Sequence, residues 1–196
     1  KGLENHISIS IVHPLMLENG WTFSDGPGVI KDSLFNSDYL YQVYLKADPN
    51  YSGRVTVPVL WDKQTNTIVN NESAEIMRMF NTAFNNITGN YDDYYPEHLR
   101  SEIDAMNDFV YPNINNGVYK AGFSTNQAVY EKEVTKLFAA LDKLEEQLAN
   151  QQFLVGNQLT EADIRLFTTL VRFDAVYFGH FKCNIKALVD YPNLWD

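Results

Sequence analysis

The chain has 196 residues and a formal net charge of −10, from 25 acidic and 15 basic side chains. Nucleic acids and anionic membrane surfaces bind through clustered Lys and Arg. No such cluster occurs, so we expect neither as a partner. No apolar stretch approaches the roughly 18 residues of a membrane-spanning helix. The single cysteine, Cys183, excludes an internal disulfide and favours a reducing compartment, the cytoplasm.

The first periodic segment runs from His6 to His13. Ile7, Ile9 and Ile11 alternate with more polar positions, which predicts a half-buried strand. Pro14 then stops the strand. Because no further ligands converge with the two histidines that bracket it, we interpret them as strand-end residues and predict no metal site.

A loop and a short helix follow. The loop extends from Met16 to Ser37 and contains Trp21 between glycines. This tryptophan is either a packing anchor or an aromatic wall of a small-molecule site. The tyrosine-rich segment from Asp38 to Lys46 predicts one helix that ends before Asp48-Pro49-Asn50.

The central feature of the chain is a proline inside a strand-like run, Arg54–Asp62. We predict a strand over Val55–Trp61, but Pro58 lacks an N–H and suits an edge strand, a bulge or a cis bond. A cis Val57-Pro58 bond would turn the backbone of Val57 outward and leave its N–H and C=O free for a ligand. A short polar connection to a second strand, Thr67–Asn70, predicts a hairpin.

An amphipathic helix is predicted from Ser73 to Phe84, directly after Glu72, because its apolar residues recur every three or four positions. The unpaired N–H groups and partial positive charge at a helix start suit a carboxylate. Turn residues then cluster in a linker, Asn85–Pro96. We therefore place two domains at residues 1–88 and 97–196.

Only helical patterns follow the linker. Helices are predicted from Glu97 to Val110 and from Asn126 to Asn150, with an irregular stretch, Asn115–Phe123, between them. A capping box opened by Thr160 begins a further helix that continues to Ala175. Strands first and helices later predict an α+β domain followed by an all-α domain.

Specific motifs occur in a fixed order along the chain. They are His13-Pro14, Gly20-Trp21-Thr22-Phe23, Ser52–Asp62, Asn70-Asn71-Glu72-Ser73, Asn115–Phe123, Phe153-Leu154-Val155-Gly156 and Leu159–Ile164. Together they resemble the glutathionyl-hydroquinone reductases, also called Xi-class glutathione transferases. The resemblance covers essentially the whole chain. It implies a thioredoxin-like α+β N-terminal domain followed by an all-α glutathione transferase C-terminal domain.

The resemblance also implies an activity, the glutathione-dependent reduction of glutathionyl-hydroquinones. In that family a cysteine thiolate attacks the sulfur of the conjugate, the hydroquinone leaves, and a second glutathione clears the mixed disulfide. The family's nucleophile lies in a Cys-Pro-Trp-Ala stretch that this chain does not contain. We expect that cysteine before Lys1, and a further substrate-site tyrosine after Trp195. We expect Cys183 to be a structural thiol, so the polypeptide as it stands is predicted to be inactive in thiol chemistry.

By resemblance, the glutathione site comprises Trp21, Arg54, Val57, Glu72 and Ser73. Val57 would pair its N–H and C=O with the cysteinyl part of the tripeptide, as an added strand does. Glu72 would accept the α-ammonium, and Ser73 would hold the γ-glutamyl carboxylate at the helix start. Arg54 would pair with the glycyl carboxylate, unless it is a plain surface residue, and Trp21 would pack over the ligand.

Tyr119 is predicted to line the site of a small, quinone-type aromatic substrate and to donate its O–H to a quinol oxygen, with plain packing as the alternative. Glutathione is the implied co-substrate, and a homodimer is the implied assembly. Two other functions stay open. One is an omega-like thiol transferase or dehydroascorbate reductase, which should lack the Asn115–Phe123 motif. The other is a non-catalytic binding module of the same fold.

Overall fold

The structure, a computed structural model, describes all residues from Lys1 to Asp196. The chain divides into two compact units, Lys1–Asp92 and Asp93–Asp196. The first unit is rich in loops and contains a two-stranded sheet. Its regular elements are α1 (Leu40–Ala47), β1 (Leu60–Asp62), β2 (Thr67–Asn70), α2 (Ser73–Thr82) and α3 (Asn85–Thr88).

The predicted hairpin is confirmed, since β1 and β2 pair antiparallel with Trp61 opposite Ile68. The predicted strand over Val55–Trp61, however, was wrong for its first five residues, because β1 begins only at Leu60. Pro58 follows a cis peptide bond and has no N–H to donate to a ladder. The segment before it is held by side chains instead of by a neighbouring strand.

The predicted strand from His6 to His13 is also wrong. The segment makes one isolated antiparallel bridge, between Ile11 and Ile30. Ile9 is 66% exposed, so neither a continuous ladder nor a covered face is present. Alternating hydrophobicity specifies a strand only where a partner strand and a buried face accompany it.

A small apolar cluster, Phe23, Leu40, Val43 and Tyr44, forms the core of the first unit. Three of these four residues lie on α1. The start of α1 is fixed by Gln42, whose Oε1 accepts hydrogen bonds from the backbone N–H groups of Asp38 at 2.8 Å and Tyr39 at 2.9 Å. The predicted helix in this segment is thereby confirmed.

The second unit is entirely helical. Its α-helices are α4 (Arg100–Val110), α5 (Gly117–Gly122), α6 (Gln127–Leu148), α7 (Glu161–Leu170), α8 (Phe178–His180) and α9 (Pro192–Trp195). Short 3₁₀ segments cover Glu97–Leu99 and Leu188–Asp190, and π-helical turns cover Tyr111–Asn115 and Phe173–Tyr177. None of the helices combines the length and apolarity needed to cross a membrane.

The stretch predicted to be irregular, Asn115–Phe123, is instead mostly helical. A π-helical turn continues from α4, with the N–H of Asn116 donating to the carbonyl of Tyr111 at 2.8 Å, and α5 follows directly. The glycine at its end serves close packing: a Cβ built on Gly122 would lie 2.2 Å from Cγ of Phe181. The absence of a side chain at Gly122 therefore lets α5 approach an aromatic ring.

Helix α6 lies at the centre of the second unit's core, and Leu137, Leu141 and Leu144 on it have no exposed surface. Asn126 caps the helix by accepting from the N–H of Ala128 at 2.9 Å. The boundaries predicted for this helix hold to within two residues.

The capping box of α7 is confirmed as well. Asp163 accepts hydrogen bonds from both the N–H and the hydroxyl of Thr160, each at 2.8 Å. The helix ends at Leu170 rather than at Ala175, because the π-helical turn Phe173–Tyr177 replaces its predicted last turn.

Candidate functional site

The segment before the cis-proline presents unpaired main-chain groups. Val57 is 45% exposed, and its N–H and C=O make no hydrogen bond within the chain. The Val57-Pro58 peptide bond is cis, which is one of the three alternatives that the sequence left open. An exposed main-chain donor and acceptor on one residue can pair with an extended peptide in the manner of an added strand.

A group of three side chains, which we call the polar clamp, fixes this segment: Tyr44, Thr56 and Asn71. The hydroxyl of Tyr44 donates to the carbonyl of Thr56 at 2.9 Å. The amide of Asn71 donates to Oγ1 of Thr56 at 3.1 Å and approaches Oη of Tyr44 at 3.3 Å. Thr56 immediately precedes Val57, and Asn71 lies two positions before Ser73. The polar clamp therefore brings the free backbone of Val57 close to the start of α2.

The start of α2 carries both signs of charge. The N–H of Glu72 donates to Oδ1 of Asn70 at 2.6 Å, and the amide of Asn70 donates to Glu75. The next N–H groups, of Ser73 and Ala74, have no partner within the chain. The positive helix end thus stays available to an anion, while the exposed carboxylate of Glu72 is available to a cation. Such a pair matches the ammonium and carboxylate groups of a free amino-acid terminus.

Two further predicted residues, Arg54 and Trp21, also belong to the first unit. Arg54 is exposed, and its carbonyl accepts from the hydroxyl of Tyr51 at 2.6 Å; its guanidinium makes no ion pair within the chain. Trp21 is half-buried against the apolar cluster, and its carbonyl accepts from the N–H of Leu40 at 2.9 Å. Part of the Trp21 ring therefore packs inside the unit, as the packing alternative predicts.

In the second unit, Tyr119 belongs to an aromatic wall, which we define as the rings of Tyr119, Phe123, Tyr177 and Phe181. The centroid of the Tyr119 ring lies 5.7 Å from that of Tyr177 and 5.4 Å from that of Phe181. Tyr119 and Phe123 line a surface depression of about 360 Å³. The depression is completed by Lys120, Ser124, Thr125, Asn126, Val129 and Glu133.

A chain of hydrogen bonds runs behind the aromatic wall. The hydroxyl oxygens of Tyr119 and Tyr177 lie 3.1 Å apart, and Nε of Arg172 donates to Oη of Tyr177 at 3.1 Å. Burial, followed by the hydrogen bond and the charge of Tyr177, raises the pKa of Tyr119 to about 12, while the charge of Arg172 opposes that rise. Tyr119 therefore keeps its proton at neutral pH and can act as a hydrogen-bond donor.

The remaining candidate for thiol chemistry, Cys183, is unsuited to it. The side chain is fully buried, and burial raises the pKa of its thiol to about 11. Its sulfur lies 3.9 Å from the carbonyl oxygens of Val118 and Phe181. A reactive cysteine needs a lowered pKa and access to solvent, so these features support a structural thiol. No group of three or more His, Cys, Asp or Glu side chains is arranged to hold a metal ion.

Comparison with known families gives two matches. Residues 1–83 match the family model described as the glutathione S-transferase N-terminal domain, and residues 127–196 match the C-terminal domain of the same family. The chain is 60% identical over 196 residues to glutathionyl-hydroquinone reductase YqjG of Escherichia coli, covering 100% of this chain and 60% of the relative.

Comparison with solved structures indicates the same family. The glutathione-bound structure of YqjG superposes with a TM-score of 0.97, covering 100% of this chain and 64% of that one. The Xi glutathione transferase ECM4 of Saccharomyces cerevisiae, in complex with glutathione, is 38% identical with a TM-score of 0.93. The match covers 98% of this chain and 72% of that one.

The chain belongs to the Xi class of glutathione transferases. The predicted family and the predicted fold class, a thioredoxin-like domain followed by an all-α domain, are confirmed. This is a family of enzymes, as predicted. The Xi-class chain spans about 60% of the length of the E. coli relative.

Sequence reasoning missed two members of the candidate site in this Xi-class chain, Tyr177 and Arg172. Tyr177 is 58 positions from Tyr119, and no recognisable motif surrounds Tyr177 or Arg172. Their polar groups face each other only because the turns after α7 fold back onto α5. A spacing-based search could not have found them.

Proposed function

We propose that the intact protein is a glutathione-dependent reductase of glutathionyl-hydroquinones. The observation that carries this proposal is the polar clamp, which holds the unpaired main chain of Val57 beside the open start of α2. The name of the E. coli relative supplies the substrate class. The aromatic wall around Tyr119 supports it, because stacked and edge-on rings favour a flat aromatic ligand.

In this proposal glutathione is the co-substrate. The cysteinyl part of glutathione pairs with the N–H and C=O of Val57, as an extra strand would. The γ-glutamyl carboxylate is held by Ser73 and the free N–H groups of α2, and its ammonium is held by Glu72. Arg54 pairs with the glycyl carboxylate, and the exposed part of Trp21 packs over the tripeptide.

The hydroquinone part of the substrate is oriented by Tyr119, whose O–H donates to a quinol oxygen. A thiolate attacks the sulfur of the conjugate, an S–S bond forms, and the S–C bond breaks. The electron pair of that bond passes to the ring and is protonated as the hydroquinone leaves. A second glutathione thiolate then attacks the mixed disulfide, which regenerates the enzyme thiolate and produces glutathione disulfide.

The attacking thiolate is not provided by Cys183, because that thiol is buried and its pKa is raised. We therefore propose that the nucleophile is a cysteine outside residues 1–196. We also propose that the enzyme is a cytoplasmic homodimer. Light scattering of the intact protein tests the dimer, and imaging of a fluorescent fusion in cells tests the compartment.

Calorimetry and turnover test the proposed function. We expect Ser73→Ala in the intact protein to weaken glutathione binding about fivefold, because a hydrogen bond to a charged group is lost. Ser101→Ala removes a matched serine from the first turn of α4 and should leave binding unchanged. Equal affinities for wild type and Ser73→Ala would remove Ser73 from the site.

The substrate class is tested by comparing turnover of a glutathionyl-hydroquinone with turnover of dehydroascorbate. Preference for the first supports the proposal, and preference for the second supports the omega-like alternative. Turnover of neither would reject the reductase proposal and support a binding module.

A further inference from the structure

A guanidinium group lies at the far end of the tyrosine pair. Arg172 donates from Nε to Oη of Tyr177 at 3.1 Å, and its guanidinium carbon is 5.8 Å from the centre of the Tyr177 ring. Tyr177 is 2% exposed, so solvent has almost no access to it. Tyr119, by contrast, is 39% exposed. The three groups form a line from a permanent cation, through a buried phenol, to a phenol at the surface depression.

The direction of the hydrogen bond between the two phenols follows from their donors and acceptors. A guanidinium has only donors and stays protonated, so Oη of Tyr177 must accept from Arg172. The proton of Tyr177 then has one partner in the chain, Oη of Tyr119 at 3.1 Å. Because Tyr119 accepts that proton, its own O–H is released from the pair and is available to a ligand.

We propose that Arg172 is a positioning residue that sets this direction, so that Tyr119 presents a proton, and not a lone pair, to the bound quinol oxygen. The inference rests on the proposed function and deepens it. Without Arg172 the pair has two orientations of similar energy. In one of them Tyr119 donates to Tyr177 and offers a quinol only an acceptor. Arg172 thus selects the orientation that the reaction needs.

The same arrangement strengthens the hydrogen bond that Tyr119 donates to a quinol oxygen. The oxygen of Tyr119 accepts from Tyr177, whose O–H is polarised by the cation behind it. Other ionisable groups near Tyr119 are less well placed. Lys120 donates to the carbonyl of Pro112 at 3.0 Å, Glu133 contributes only to the lining of the depression, and the ring of His180 packs beside Phe181. Arg172 is therefore the cation that acts on this pair.

Kinetics of the intact protein across a pH series test the proposal. We expect Arg172→Gln to lower kcat for a glutathionyl-hydroquinone roughly tenfold, as is usual for the loss of one hydrogen bond, with KM for glutathione unchanged. Arg172→Lys keeps a charged donor and should recover most of the lost rate. Arg165→Gln, a matched change in α7 at an arginine that packs over Tyr111, should match wild type.

A double-mutant comparison separates positioning from a structural effect. Tyr177→Phe removes the hydroxyl that links Arg172 to Tyr119 but keeps the buried ring. Adding Arg172→Gln to Tyr177→Phe should therefore cause no further loss of kcat. The proposal would be overturned if the double variant lost kcat by the product of the two single losses. It would also be overturned if Arg172→Gln alone kept the wild-type kcat. If Arg172→Gln fails to fold, kcat of Arg172→Lys is compared with kcat of Tyr177→Phe instead. The proposal is overturned if Arg172→Lys is as slow as Tyr177→Phe.

Titration of Tyr119 tests the role of Arg172 independently of the proposed reductase activity. The tyrosinate absorbance of each variant, minus that of the same variant with Tyr119→Phe, reports the ionisation of Tyr119 alone. We expect Arg172→Gln to move this ionisation to higher pH, because a stabilising charge is lost. An inactive wild type would reject the reductase activity, whereas an unshifted titration would reject the role of Arg172.

Discussion

The polar clamp around Val57 and the aromatic wall around Tyr119 hold their proposed ligand-facing groups by different means. The clamp uses a few hydrogen bonds among the buried Tyr44, the exposed Thr56 and the half-buried Asn71 to present main-chain atoms. The wall uses rings packed at 5.1 to 6.2 Å around a glycine that admits no Cβ. The first region should therefore respond mainly to lost hydrogen bonds, and the second mainly to added volume.

The largest expected effect tests the packing of the aromatic wall. In Gly122→Ala the new Cβ would meet Phe181 at 2.2 Å from Cγ and 2.6 Å from Cβ, so the ring cannot move away by rotation alone. We expect a loss of about 1–3 kcal/mol in the free energy of unfolding, as is typical of overpacking, together with slower quinol turnover. Urea denaturation measures the loss.

Gly179→Ala is the control, because nothing lies within 4 Å of the position of its Cβ. Its stability should be unchanged or slightly higher. Equal stabilities of the two variants would show that the wall is not tightly packed.

A smaller effect tests the polar character of the first unit. Asp32 is 3% exposed and accepts from the N–H groups of Leu34 at 2.9 Å and Ser37 at 3.0 Å. Burial raises the pKa of Asp32, but the hydrogen bonds from Ser37, Leu34 and Phe35 together outweigh it, and the pKa lies below its usual value. Asp32→Asn keeps one acceptor oxygen and should cost about 1–2 kcal/mol at neutral pH.

The sign of the pH dependence follows from the lowered pKa. The carboxylate of Asp32 contributes its stability above the unfolded-state pKa of about 3.9 and loses it as the pH falls through the lower folded-state value. Unfolding curves of wild type and Asp32→Asn should therefore converge below about pH 4. Asp25→Asn, at an exposed partner of Lys31, should change stability little at any pH. A constant gap between wild type and Asp32→Asn would contradict the assignment.

The smallest effect concerns the clamp itself. Asn71→Ala removes the hydrogen bond to Thr56 and the approach to Tyr44 without touching any proposed ligand group. We expect about 1 kcal/mol less stability, and roughly fivefold weaker glutathione binding by calorimetry, because the Val57 backbone is no longer fixed. Asn50→Ala, at a side chain without hydrogen bonds, is the control. Unchanged affinity in Asn71→Ala would show that Val57 is placed without the clamp.

Local signals were sufficient for several elements. The capping box at Thr160, the long helix ending at Leu148 and the hairpin before Asn70 depend on contacts between residues close in sequence. These predictions succeeded because the determining interactions lie within a few positions of each other. For Pro58 the local sequence left an edge strand, a bulge and a cis bond open, and the structure decided for the cis bond.

The errors have one cause, the absence of information about neighbours. The alternation at Ile9 resembled a strand, but no partner strand covers it. The stretch around Tyr119 was predicted to be irregular, but it is mostly helical, and the ring of Phe181 requires a glycine at position 122. Whether an alternating segment forms a strand, or a glycine lies within a helix, depends on the residues that pack against it. The local sequence does not contain that information.

The sequence by itself determined the family and the order of domains, and it proposed the residues that would present main-chain and charged groups to a tripeptide, because these are encoded in contiguous motifs. Only the tertiary structure decided how Asn71 holds Thr56, why Gly122 has no side chain, and that Arg172 and Tyr177 stand behind Tyr119. The contacts of Asn71 with Thr56, of Tyr119 with Tyr177 and of Gly122 with Phe181 join residues 15, 58 and 59 positions apart. Hydrogen bonds and steric contacts act over a few ångströms in space, whatever the separation along the chain.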